Sequence, residues 1–164
     1  MIRHAIPLLA LVLAPSLLLA QSVVRHKLPN NSTFPIAAAV EVPAGKTMVY
    51  LSGKVPSVAN EKAEKNSVAA YGDTEAQTLS VLKGIEEQLK GMNLGMGDIV
   101  RMQAFLVGDP GQGGKMDFGG FMKGYSQFFG TEAQPNLPAR STMQVAALAN
   151  PGFLVEIEVT AVRP

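Results

Sequence analysis

Between Phe153 and Val162 the chain alternates with a period of two: Val155, Ile157, Val159 and Ala161 are apolar, and Glu156, Glu158 and Thr160 lie between them. Successive side chains of a strand point to opposite faces. The segment therefore reads as a strand with one face against a core and the other carrying two carboxylates. Two readings of the polar face remain open, a solvated sheet face and a subunit interface or cleft. The apolar face needs a covering layer, and the rest of the chain must supply it.

That layer is legible upstream. Apolar residues recur at Leu79, Leu82, Ile85, Leu89 and Met92, one stripe of a helix, behind the N-cap candidates Asp73 and Thr74; Thr74 with Gln77 fits a capping box. Gly91, Gly95 and Gly97 end this helix, and Ile99 to Val107 reads as a strand. A second helix is expected from Phe118, Phe121, Met122, Tyr125 and Phe128, spaced by threes and fours, whose aromatics read as core. Two strands close the chain, Ser141–Leu148 and Phe153–Val162, across the turn Ala149-Asn150-Pro151-Gly152. At the other end Val23–Leu28, Phe34–Val42 and Thr47–Leu51 look like a meander or hairpin, with Pro43-Ala44-Gly45-Lys46 as a turn. The order β-β-β-α-β-α-β-β predicts an α+β fold, a mixed sheet with helices packed on one face. Residues 52–71 are polar and irregular, long enough for a surface loop over a site.

Residues 1–20, MIRHAIPLLALVLAPSLLLA, have a basic start and an apolar run broken by Pro7 and Pro15, shorter than the roughly 20 residues a bilayer span needs. They are expected to be a signal peptide cleaved after Ala20. Residues 21–164 then form a single domain in the periplasm or outside the cell, with no membrane association after cleavage. Arg3 is the only Lys or Arg removed, so 13 basic and 13 acidic residues remain and the mature chain is formally neutral. Nucleic-acid binding normally needs a clustered basic surface, and none is evident.

There is no cysteine, and His26 is the sole histidine after the leader. This excludes disulfides, multi-histidine or cysteine metal centres, and any Ser-His-Asp triad not built on His26. The stretch Gly108-Asp109-Pro110-Gly111-Gln112-Gly113-Gly114-Lys115 superficially suggests a phosphate loop. Asp109 stands where its first glycine belongs, however, and Met116 where Ser or Thr is required, so a flexible connection is expected. Arg140 follows Pro138-Ala139 at the start of a strand. A guanidinium directed by a stiffened loop suits a fork-shaped grip on a carboxylate, although most arginines at strand starts are simply solvated.

The block Asn136 to Val162 (NLPARSTMQVAALANPGFLVEIEVTAV) resembles the signature end of the Rid/YjgF family, with its P-A-R-S turn and acidic I-E-x-x-A-V closing strand. Tyr50 to Pro56 resembles that family's strand ending in S-G-x-x-P, Leu94 to Val107 its G-x-x-x-x-D-I-V strand entry, and Tyr125, Phe128 and Phe129 its aromatic second helix. The resemblance runs from about Phe34 onward. It implies a chorismate-mutase-like fold assembled as a homotrimer, with clefts between subunits. It further implies hydrolytic deamination of 2-imino and 2-enamino acids to 2-keto acids and ammonia. Arg140 would bind the substrate carboxylate and Glu156 would orient the attacking water. Ser52, Gly53, Tyr125 and Thr142 match cleft positions. A protonated imine is already electrophilic, so no metal or cofactor is called for.

Two positions depart from the family pattern: Pro35-Ile36 stands for a Pro-Tyr pair, and Met122 for an Asn in the second helix. Loops around Ser57–Tyr71 and Gly108–Met116 look longer than in compact members. A non-catalytic module binding small carboxylates is the alternative these departures motivate. The endoribonuclease activity attached to some relatives is disfavoured by the neutral mature chain and by export.

Overall fold

A computed structural model describes residues 22–164; the expected leader lies outside the described residues. Its strands are β1 (Val24–His26), β2 (Ala39–Glu41), β3 (Met48–Lys54), β4 (Ile99–Val107), β5 (Ala139–Val145) and β6 (Val155–Val162). Its helices are α1 (Thr74–Gly91) and α2 (Phe118–Tyr125). The main sheet has the order β3-β6-β4-β5. In it β6 runs antiparallel to both β3 and β4, and β4 runs parallel to β5. The mixed sheet with both helices on one side is thus the predicted architecture.

The alternating strand sits at the centre of this sheet. Val155, Ile157 and Val159 of β6 join Met102, Ala104 and Leu106 of β4 and Leu51 of β3 on one face, and Val81, Leu82, Ile85 and Leu89 of α1 with Phe121 and Tyr125 of α2 cover them. Each fully buried Leu, Ile or Phe contributes about 1.5–3 kcal/mol, which explains why the stripe was the strongest signal in α1. The helices touch closely: a Cβ on Gly124 would stand 2.8 Å from Cβ and Cγ2 of Thr78.

Several local expectations change. Only β1 and β2 form a hairpin; β3 joins the far edge of the main sheet, because Leu51 must reach the core that β6 defines. Strand structure within 34–42 is confined to β2, and the strand expected at 141–148 runs from 139 to 145. The last two strands, consecutive in sequence, are separated by β4. The N-cap is Asp73, whose Oδ1 accepts from the Ala76 amide at 2.9 Å. There is no Thr74–Gln77 capping box. Thr74 is buried, and Gln77 turns into the core, where its Nε2 donates to the Gly72 and Gly152 carbonyls (3.0 and 2.9 Å) and its Oε1 accepts from the Leu154 amide at 2.7 Å. This one amide ties α1 to the turn before β6. Helix α2 ends at Tyr125; Phe129 lies beyond it yet is still buried.

The glycine-rich connection after β4 is strapped down. Gln144 of β5 accepts from the Met116 amide (2.9 Å) and donates to the Gly114 carbonyl (3.1 Å), while Gly113 and Gly114 take the positive φ angles that the tight turn requires. A further strap positions the site. Arg25 of β1 donates from Nη1 to the Ile99 and Leu137 carbonyls (3.0 and 2.7 Å) and from Nη2 to the Gly97 carbonyl (2.8 Å). The hairpin is thereby fixed to the sheet, and Ala37 bridges in parallel to Ala139, its amide donating to the Pro138 carbonyl at 2.9 Å. Phe34 and Ile36 are carried to the edge of β5 beside Arg140.

Candidate functional site

Arg140 is the second residue of β5 and lies opposite Met102 in the register, so it points to the helix-covered face. Its guanidinium carbon is 4.2 Å from the Tyr125 ring centre, 5.0 Å from that of Phe121 and 5.4 Å from that of Phe34. Nη2 approaches the Met122 sulfur at 3.3 Å, and Nη1 is buried with no hydrogen-bond partner. No carboxylate pairs with it among the described residues. Burial lowers its pKa, partly opposed by the neighbouring Tyr125. Two residues on, Thr142 lies opposite Ala104 on the same face, and its Oγ1 is also buried without a partner. Unpaired buried polar atoms are rare and costly, and two of the three among the described residues, the other being Thr74 Oγ1, stand on one strand face with unmet capacity to bond an acceptor.

Tyr125 packs against Arg140. It is fully buried, donates through its hydroxyl to the Pro35 carbonyl at 2.8 Å, and its phenol pKa is pushed up to about 12 because burial disfavours the phenolate, Arg140 pulling the other way. The unfolded chain would ionise this group near 10, the folded chain near 12. Tyr125 therefore contributes stability that is complete below pH 10 and lost as the pH climbs to 12, about 2–3 kcal/mol in all. Thermal unfolding of the wild type against Tyr125→Phe should diverge across that window, with the wild type alone losing stability steeply; parallel curves would refute the assignment.

Glu156 stands on the opposite face. It lies across from Phe105, between the buried Val155 and Ile157, and turns toward Gly53. The register of β3 breaks between Leu51 and Lys54, and this irregularity brings Ser52 and Gly53 past Glu156. The approach is so close that a Cβ on Gly53 would collide with Glu156 Oε1 and stand 2.9 Å from its Cδ. A groove of about 240 Å³ runs along this open face between Tyr50, Ser52, Arg101, Gln103 and Glu158. Tyr50 is 77% exposed there.

The six positions that sequence reasoning placed in one cleft therefore separate into two groups. Arg140, Thr142 and Tyr125 lie together on the helix side, and Glu156, Gly53 and Ser52 on the open side. Within one chain the two key charges do not meet.

Sequence reasoning passed over Phe34 and Phe118. Of the aromatic series expected in the core, Phe121 and Tyr125 are buried and Phe128 is partly buried, whereas Phe118 is 36% exposed because it sits at the open start of α2. Phe34, 38% exposed, lies with its ring centre 6.4 Å from that of Phe118, and Phe129, outside the series, is buried instead of Phe128. Phe118 was readable only as part of the helical aromatic series, and nothing in sequence marked Phe34. A cavity of about 460 Å³ is bordered by Ile36, Ala37, Met102, Ala139 and Arg140. No group of three metal-ligating side chains occurs among the described residues.

The family model described as Endoribonuclease L-PSP matches residues 30–163. Among solved structures, the Rid family protein of unknown function YyfB from Yersinia pestis is 27% identical with a TM-score of 0.61, the match covering 85% of this chain and 98% of that one. The YjgF gene product of E. coli is 32% identical (TM-score 0.55; 75% and 85% covered). E. coli TdcF with bound serine gives the same identity and coverage, with a TM-score of 0.56.

Proposed function

Because this chain belongs to the Rid/YjgF family, we propose that it hydrolyses 2-imino and 2-enamino acids to 2-keto acids and ammonia, in clefts between copies of itself. The observation that carries this reading is the pair of polar atoms on β5, Arg140 Nη1 and Thr142 Oγ1, buried and unpartnered on one face. A carboxylate seated there would supply the missing acceptor and the missing counter-charge together. Serine, bound in TdcF, is a ligand with such a carboxylate.

The chemistry needs a second group. With the carboxylate on Arg140 and the iminium carbon held beside it, water attacks that carbon and gives a carbinolamine. A proton passes from the attacking oxygen to the amino nitrogen, the C–N bond breaks with its electrons going to nitrogen while an oxygen lone pair closes the carbonyl, and the remaining hydroxyl proton passes to the departing ammonia, leaving the keto acid and ammonium. Glu156 is the group to orient the water and carry the proton. Since it lies on the other face of its own sheet, we assign it to a cleft completed by the Arg140 face of a neighbouring copy. The homotrimer common in this family would provide three such clefts, and the exposed Tyr50 on the open face fits burial against a neighbour.

The test is loss of 2-iminopropionate generated in situ by an amino-acid oxidase. The wild type should accelerate it in proportion to enzyme concentration, and Gly53→Ala, which forces the Glu156 carboxylate aside, should be at least about a hundredfold slower, the lower end of what a placed acid–base group supplies. A wild-type rate equal to the spontaneous one would sink the deaminase reading. Keto-acid binding without turnover would then favour a non-catalytic carboxylate binder, the reading that the thioether of Met122 beside Arg140 supports. The family description also raises RNA cleavage; a mature chain of zero net formal charge speaks against it. We place the protein in the periplasm or outside the cell on its leader alone. N-terminal sequencing of the mature protein should begin at Gln21, and retention of Met1 would contradict export.

A further inference from the structure

We propose that the cleft selects imino acids with large apolar side chains, aromatic or branched aliphatic, over small or polar ones, and that Phe34 and Phe118 are the residues that select them. This rests on the reading of Arg140 as the carboxylate anchor. The groups in contact with the guanidinium are the rings of Phe34, Phe121 and Tyr125 and the Met122 sulfur, and Ile36 borders the same cavity as Arg140, with the polar Arg101 and Ser141 also on its wall. Phe121 and Tyr125 are fully buried and belong to the core. Phe34 and Phe118 do not. They are two of only five large hydrophobic side chains left exposed among the described residues, and they stack on each other, Phe34 being the one of the pair that meets the guanidinium.

The geometry limits which ligand can use this wall. A carboxylate on Arg140 leaves the substrate side chain, one carbon further on, close to the Phe34 ring centre, itself 5.4 Å from the guanidinium carbon. A phenyl or isobutyl group there covers the stacked rings and removes apolar surface from water on both partners. A methyl group reaches little of it. A hydroxyl or carboxylate side chain laid on the Phe34 and Phe118 rings would lose its water to a surface that offers no donor in return. The selection is also placed on stiff supports. Phe118 opens α2, capped by the Asp117 carboxylate accepting from the Gly120 amide at 2.8 Å, and Phe34 is held by the arm that Arg25 and the Ala37–Ala139 bridge fix to the sheet.

The experiment compares kcat/KM for imines made in situ from phenylalanine, leucine, alanine and serine. The first two should exceed the last two at least tenfold, the discrimination that a few methylenes in an apolar pocket provide. Phe34→Ala and Phe118→Ala should each reduce the phenylalanine-to-alanine ratio about tenfold. An alanine imine processed as fast as the phenylalanine imine, or variants that slow every substrate equally, would overturn the inference; the latter would mark the two rings as subunit contacts. Calorimetric titration with phenylpyruvate and pyruvate separates this from the deaminase reading. If no imine is hydrolysed but phenylpyruvate binds at least tenfold more tightly than pyruvate, dependent on Arg140 and Phe34, the ligand class stands and only the catalysis fails. Equal affinities would overturn the ligand class as well.

Discussion

Arg140→Met is expected to lower kcat/KM for imine hydrolysis by about two to three orders of magnitude while leaving the melting temperature within a few degrees of wild type or above it. The two halves have one cause. Truncating one partner of a desolvated charge pair costs about 2–5 kcal/mol of binding, and each 1.4 kcal/mol is a factor of ten. The substrate-free protein, however, carries this guanidinium half-buried with Nη1 unpaired and no carboxylate beside it. Removing an uncompensated buried charge in favour of an apolar side chain of similar length is often neutral or stabilising. The lost ring contacts, about 0.5–2 kcal/mol each, set a limit to the gain. Arg140→Lys should recover only part of the activity, because an ammonium cannot match a carboxylate with a planar fork. Activity within threefold of wild type in Arg140→Met would mean the carboxylate is held elsewhere; a collapse in melting temperature would mean the side chain is structural.

Gln77→Ala is expected to do the reverse, destabilising the protein by about 3–5 kcal/mol. Its side-chain amide makes three hydrogen bonds to backbone, two donated to Gly72 and Gly152 and one accepted from Leu154, all in a fully buried setting. Truncation strands those groups and opens a void. An unsatisfied buried donor or acceptor costs about 1–3 kcal/mol, and three of them with some relief from entering water give the stated range. For a chain of this length the loss corresponds to roughly 10–15 °C in melting temperature, readable by calorimetry. A fall below 4 °C would show that the turn before β6 is held by other contacts.

How much of this was legible beforehand differs from element to element, for physical reasons. The bounds of β4 and the apolar stripe of α1 could be read directly, because burial on one face imposes a period on the residues themselves. The partner of β3 could not, since pairing with β6 joins segments about 110 residues apart and leaves no local mark. At the start of α1 two N-cap candidates stood side by side; the choice fell to Asp73 because Gln77, the other half of the rejected capping box, is needed in the core. In the candidate site, the motifs single out Arg140 and Glu156, but their opposite faces follow from register, which no motif contains. Phe34 was invisible for a similar reason: its position depends on Arg25 gripping three carbonyls of distant segments.

Placing Arg140 and Glu156 on opposite faces of one sheet also changes what a damaged gene copy can do. If each cleft takes its anchor from one chain and its carboxylate from the next, two alleles, one lacking Arg140 and the other lacking Glu156, are each silent alone. Mixed at random in closed rings, they would restore about one cleft in four, whereas both lesions in a single allele would leave that allele nothing to restore. Heredity would then see two separable halves where the sequence has one short gene.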